Sequence, residues 1–175
     1  MPAVSYRPRD FPDSARVAFG WLEHIGFEEV SFVSKNLYSQ VVWASESTYV
    51  HAMWDLHDAI VDIVLGPLVG GAPPDGLIAR DDQGRRLSTP LWLLAWVRSG
   101  AESYARSLTT LEGWSREDIE RALAVNSDAL QRYGRELLAG RFEFLEVIDR
   151  ADRQRMQANV EHRAWGSPPD WPSAE

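Results

Sequence analysis

Cysteine is absent from the chain. That single gap excludes a disulfide framework, a thiolate zinc site and a cysteine nucleophile, and it suits a reducing compartment. Long apolar runs are missing too: the longest, AIVDIVLGPLVGG, falls short of the roughly 18 residues that a membrane-crossing helix needs. The opening MPAVSYRPRDFPDS has no basic region followed by an apolar stretch, so no secretory leader is read there. Together these absences predict a cytoplasmic protein without a membrane segment. Lysine is nearly missing as well, Lys35 being the only one among 18 basic residues, a skew that reads as the codon bias of a GC-rich bacterium.

Positive charge is scarce relative to negative. With 26 acidic side chains the formal net charge is −8, and no basic cluster is denser than Arg85-Arg86, so a phosphate backbone would be repelled and a nucleic-acid partner is not expected. Catalytic signatures are also lacking: there is no G-x-S-x-G, no S-x-x-K and no glycine-rich phosphate loop between a strand and a helix. Carboxylate pairs such as Asp55 with Asp62, or Glu28 with Glu29, are allowed by composition but singled out by nothing else. An enzyme is therefore not the favoured reading, and no cofactor is called for.

What the chain does have is hydrophobic pattern. Its 175 residues suit one domain. From Asp13 to His24, Val17, Ala18, Trp21, Leu22 and Ile25 recur at helical spacing behind an Asp13/Ser14 cap. Gly26 then suits the left-handed stop, and Phe27 can fold back on the last turn. The period next changes to two, predicting antiparallel strands over 28–34, 38–45, 48–55 and 58–66 with short polar turns between them, and a fifth strand near 76–81. GPLVGGAPPDG, with four Gly and three Pro in eleven residues, reads as a loop and as a mobile edge for a binding surface. Thr89 and Pro90 start a short helix through about Ser99, interrupted by Gly100.

Ser115 and Asp118 form a variant capping box for a long helix with Ile119, Ala122, Leu123, Leu130, Tyr133 and Leu137 as its buried stripe, and Trp114 is placed to staple onto Ile119. A last helix, about 141–163, begins apolar but becomes charged on nearly every face, so its second half is expected to project into solvent or pack thinly. The predicted class is α+β: an N-terminal helix, an antiparallel four- to five-stranded meander, then C-terminal helices packed on the sheet. Residues 1–164 make one domain, with 141–164 as an extended charged helix, and 165–175 a tail holding Pro and Trp. Trp171 within that tail is expected to dock on its own domain or on a partner.

The densest polar stretch is His51-Ala52-Met53-Trp54-Asp55-Leu56-His57-Asp58, with Asp62 on the next strand. His51, Met53 and Asp55 share one strand face, and His51 with His57 are the metal candidates, although Asp and His are also ordinary turn residues. Eight tryptophans are the other surplus. Trp21, Trp43, Trp54, Trp92 and Trp96 fall on apolar faces and are expected in the core. Any that stay exposed would anchor a partner or a flat ligand.

The runs FGWLEHIGF, VVWASESTYVHAMWDLHDAIVDIVLG and LQRYGRELLAGRFEFLEVI resemble a group of small bacterial proteins of unknown function. The pattern F-x-x-L-E-x-x-G-F falls on Phe19, Leu22, Glu23, Gly26 and Phe27. The later Y-G-x-x-L-L-x-G-x-x-x-F falls on Tyr133, Gly134, Leu137, Leu138, Gly140 and Phe144. The resemblance spans most of 14–150 and implies a helix–meander–helix fold. Some proteins of this build resemble immunity or accessory proteins of bacterial conflict systems, which implies a partner to be bound.

The reading is a non-enzymatic, protein-binding protein of immunity or regulatory type, acting through one face of the meander with Asp55, His57, Asp58, Asp62 and Trp171. Two rivals stand beside it. One is a small-molecule binder or enzyme with a pocket between sheet and helices lined by Trp43, Trp54, Trp92 and Trp96. The other is a structural homo-oligomer assembled through 141–163.

Overall fold

A computed structural model describes residues 7–58, 60–74, 78–111, 113 and 115–171. Helix α1 (Phe11–Phe19) starts two residues before the expected cap: Asp10 is its N-cap, and Asp13 lies inside the first turn, where it pairs with Arg16. Its buried face also differs from the expected stripe. Phe11, Ala15, Phe19 and Leu22 are fully buried, whereas Val17 is 87% exposed and Ile25 51%. Two apolar phases coexist on this helix, and the one holding two phenylalanines buries more surface. After Phe19 the chain tightens into a 3-10 segment, Gly20–Ile25. It stops at Gly26 with φ 88°, and Phe27 is buried just beyond.

Four strands follow with almost the predicted bounds: β1 (Glu28–Lys35), β2 (Tyr38–Ala44), β3 (Thr48–Asp55) and β4 (Ile60–Pro67), paired antiparallel in sequence order. β5 completes the sheet as Thr89–Pro90 against β4. The fifth strand expected over 76–81 is not the one that forms: Gly76 and Leu77 lie outside the described residues, and 78–81 contribute only an isolated bridge, Arg80 to Arg86.

The helices are α2 (Leu91–Ser99), α3 (Glu102–Ser107), α4 (Arg116–Tyr133), α5 (Arg135–Leu138) and α6 (Leu145–Val160). Pro90 is the N-cap of α2 rather than its first residue, and Gly100, at φ 70°, closes it. The Ser115–Asp118 box caps α4 as expected, while the Trp114 staple lies outside the described residues. Helices pack on the sheet face that carries Val41, Trp43, Val50, Ala52, Trp54, Val61, Ile63 and Leu65. Phe19 meets Trp43 at 5.6 Å and Phe11 stacks near Trp54 at 6.2 Å between ring centroids.

The first half of helix α6 is buried, while 153–160 packs thinly as expected, with Ala158 as its buried residue. Val147, Ile148 and Ala151 are buried, and so are Asp149 and Asp152, which flank the guanidinium of Arg86. There the charged sequence misleads, because two of its acids face inward toward a cation supplied by the loop before β5. From Glu161 to Trp171 the chain has no helix or strand but returns to the domain. Trp165 is 3% exposed, edge-on to Trp96 at 5.2 Å, and Trp171 stacks on Phe144 at 4.6 Å beneath the guanidinium of Arg98.

Candidate functional site: the sheet face opposite the helices

Alternation along the strands sends every second side chain away from the helices, and the register sets those side chains in rows. Lys35, Tyr38, Asp55 and Ile60 form the first row. Val33, Gln40, Met53 and Asp62 form the second, and Ser31, Val42, His51 and Val64 the third. The third row's Val42 and Val64 join Tyr49 in a small buried cluster, with Leu68 of the segment after β4 packed against it. The first two rows are left as a surface on which Val33, Tyr38, Gln40, Met53, Asp55 and Ile60 are half-buried.

A hydrogen-bonded chain fixes the middle of this surface. His51 Nε2 lies 2.9 Å from Gln40 Oε1, and the Tyr38 hydroxyl donates to the same oxygen. A carbonyl oxygen only accepts, so His51 carries its proton on Nε2 and presents Nδ1 as an acceptor. Burial pushes His51 down to about 4, leaving it uncharged at neutral pH. Burial also raises the Tyr38 hydroxyl, with the Asp55 carboxylate adding to the effect.

Asp62 stands beside this chain, next to Met53 and diagonal to His51. It is 7% exposed and has no ion-pair partner among the described residues. Burial pushes its carboxyl up to about 7, against one opposing hydrogen bond from the Ile63 backbone. The centre of the face is thus neutral in mild acid, carries about half a negative charge near pH 7 and gains the rest as pH rises.

Strand β3 and its turn place the other candidates. Asp55 Oδ1 accepts the N–H groups of His57 at 2.8 Å and Asp58 at 3.4 Å, so Asp55 builds the turn that exposes those two side chains at one end of the face. Asp62 lies beneath that rim rather than on it. His51 is engaged with Gln40 while His57 points from the turn, and among the described residues no three His, Asp or Glu side chains gather to hold a metal ion.

Tyr38 and Gln40 escaped the sequence reading. The β2 alternation held the signal, since both share a face with Val42 and register opposite Asp55 and Met53.

The expected pocket between sheet and helices is filled by the side chains meant to line it. Trp43, Trp54 and Trp96 are at most 1% exposed within the core, and Trp92 packs against Trp165 at 5.9 Å. Three clefts open elsewhere among the described residues. One of about 600 Å³ runs between the loop before β5 and α6, one of about 420 Å³ lies beside Trp21, and one of about 170 Å³ beside α4. None includes a residue of the His51–Gln40 chain or Asp62. A histidine acceptor and a carboxyl titrating near 7 are acid–base chemistry in kind, and none of these three clefts reaches them.

Among the described residues, no helix is long and apolar enough to cross a membrane. Comparison with protein-family models, with curated proteins and with solved structures finds no match to this chain.

Proposed function

We propose that this is a non-enzymatic binding protein that takes up another protein on the sheet face opposite its helices. The observation that carries the proposal is the half-buried surface of Tyr38, Gln40, Met53 and Ile60, held in a fixed display by the Gln40–His51–Tyr38 hydrogen bonds. Aromatic residues and Met are enriched at interface cores, and a broad mixed apolar and polar surface suits a protein partner. The acidic turn of Asp55, Asp58 and their surroundings would speed association with a basic partner. A small acidic protein with such a face has the build of an immunity or regulatory protein, working in a reducing compartment that its lack of cysteine suits.

The test is a pull-down from the protein's own source lysate at low and high salt, run in parallel with Met53→Arg, with Asp55→Arg/Asp58→Arg, and with Glu117→Arg on the helical side as control. A stoichiometric basic protein should be held by wild type and by the control, lost from Met53→Arg, and weakened at low salt by the charge reversal. Capture that survives Met53→Arg unchanged would remove this face from consideration.

A further inference from the structure

The chain tightens after α1 so that Trp21 and Ile25 project toward the end of α4 and the short α5, and a cleft of about 420 Å³ remains between them. Its walls are Trp21, Ile25, Leu138 and Ala139, with Gln131 and Arg135 as the polar groups. This volume lies in the range of small-ligand sites.

The Trp21 ring is fixed. Its Nε1–H donates to Ser127 Oγ at 2.8 Å, and that hydroxyl donates to the Ala18 carbonyl at 2.7 Å. The indole N–H is therefore spent within the fold, and the rest of the ring is left as apolar wall. Ile25, 51% exposed, supplies aliphatic surface that the domain itself does not cover.

Arg135 gives the cleft its charge. Arg16, Arg80, Arg86, Arg98 and Arg155 are bound to carboxylates, whereas Arg135, like Arg7, Arg132 and Arg150, makes no ion pair among the described residues, in a chain of net charge −8. Gln131, one helical turn earlier, adds an amide on the same side. The larger cleft makes a useful contrast. It is lined by as many acids as arginines, and Arg85, Arg86 and Arg153 already hold Asp81, Asp149 or Asp152.

We infer that the Trp21 cleft binds a carboxylate carried directly on an apolar body, the acid on Arg135 and Gln131 and the body against Trp21, Ile25 and Leu138. A guanidinium holds a carboxylate with two parallel N–H donors, and an aromatic wall suits a flat or aliphatic group beside it. A free aryl or alkyl carboxylic acid has this chemistry, and so does a chain terminus ending in an apolar residue. The site lies on the helical side and does not depend on the sheet face proposed above.

The test follows the Trp21 indole N–H resonance of the full chain, assigned by its loss in Trp21→Phe. The probes are 3-phenylpropionate, its alcohol analogue, and a peptide ending in phenylalanine with either a free or an amidated terminus. Saturable shifts are expected for the acid and for the free-terminus peptide. Arg135→Gln should weaken both by about tenfold, as loss of a charge-assisted hydrogen bond implies, while leaving the alcohol unchanged. Ala139→Leu, which fills the cleft, should abolish binding of every probe. The tighter of acid and peptide identifies the source. Absence of a saturable shift at millimolar probe, or equal affinity in Arg135→Gln, overturns the inference.

Discussion

Asp62 is the residue whose chemistry is most at odds with its position. Its ordinary value is 3.8 and its folded value about 7, so the unfolded chain gives up this proton first. A carboxyl raised on folding destabilises progressively as pH climbs above about 4, and the effect levels off beyond about 7. At the plateau, three pH units correspond to about 4 kcal/mol. Asp62→Asn keeps the shape and removes the titration. Urea unfolding should show the variant several kcal/mol more stable than wild type at pH 8 and nearly equal to it at pH 4; an identical difference at both pH values would mean that Asp62 does not titrate in this window. His51 acts in the opposite sense. Its folded value of about 4 lies below the ordinary 6.5, so its contribution is intact above 6.5 and is lost as pH falls toward 4. Between them the two groups narrow the pH range of greatest stability, in a surface that a stability-optimised protein would have left apolar.

At the scale of elements, Gly66 shows how tightly the segment after β4 returns upon it. A Cβ there would run into the Leu87 carbonyl oxygen, which is backbone and cannot turn aside. Gly66→Ala should therefore destabilise by about 1–3 kcal/mol, as overpacking does, and chemical denaturation would register it. Ala at the outward-facing Gly71 gives no such clash but takes the strain of φ 81° instead. The sequence could not foresee the Gly66 contact, because it joins residues 21 apart through a loop with no periodicity.

What was legible was local. Strict alternation gave the four strands within two residues of their bounds, and the Ser115–Asp118 spacing gave the start of α4. Where two local patterns competed, the tertiary contacts decided: α1 buries Phe11, Ala15 and Phe19 and leaves Val17 to solvent. The face of the sheet that the proposed function uses was half-legible. His51, Met53 and Asp55 were placed on one side by parity, but the burial of Asp62 depends on what surrounds it, which no periodicity records.

The whole molecule is closed by α6, the element whose charged sequence argued for exposure. Its Val147, Ile148, Ala151 and Ala158 pack into the core, and Met156 and Val160 are its large exposed hydrophobics. What joins it to the sheet side is Arg86. This side chain is fully buried, with Nε 3.4 Å from Asp149 Oδ1, Nη1 3.3 Å from the Ser88 carbonyl, and Nη2 hydrogen-bonded to Asp152. Burial works to raise the Asp149 carboxyl, but Arg80, Arg153 and Arg86 together hold it below the usual range. Removing one side of such an arrangement leaves an uncompensated buried charge, at about 3–5 kcal/mol, whereas replacing both sides with apolar groups can be neutral.

Arg86→Met, which takes the cation from between two carboxylates, should therefore lower the unfolding free energy by several kcal/mol, and Asp152→Asn by less, because Asp149 still faces Arg86. Arg86→Met/Asp152→Leu should recover most of the loss. Cutting the chain after Arg150 removes Asp152 together with the Trp165 contact, so it should unfold the domain rather than release folded monomers. Sedimentation and circular dichroism on that truncation separate the two accounts: a folded monomer from an oligomeric parent would make α6 an assembly element, and loss of the fold would make it the clasp that closes a single domain.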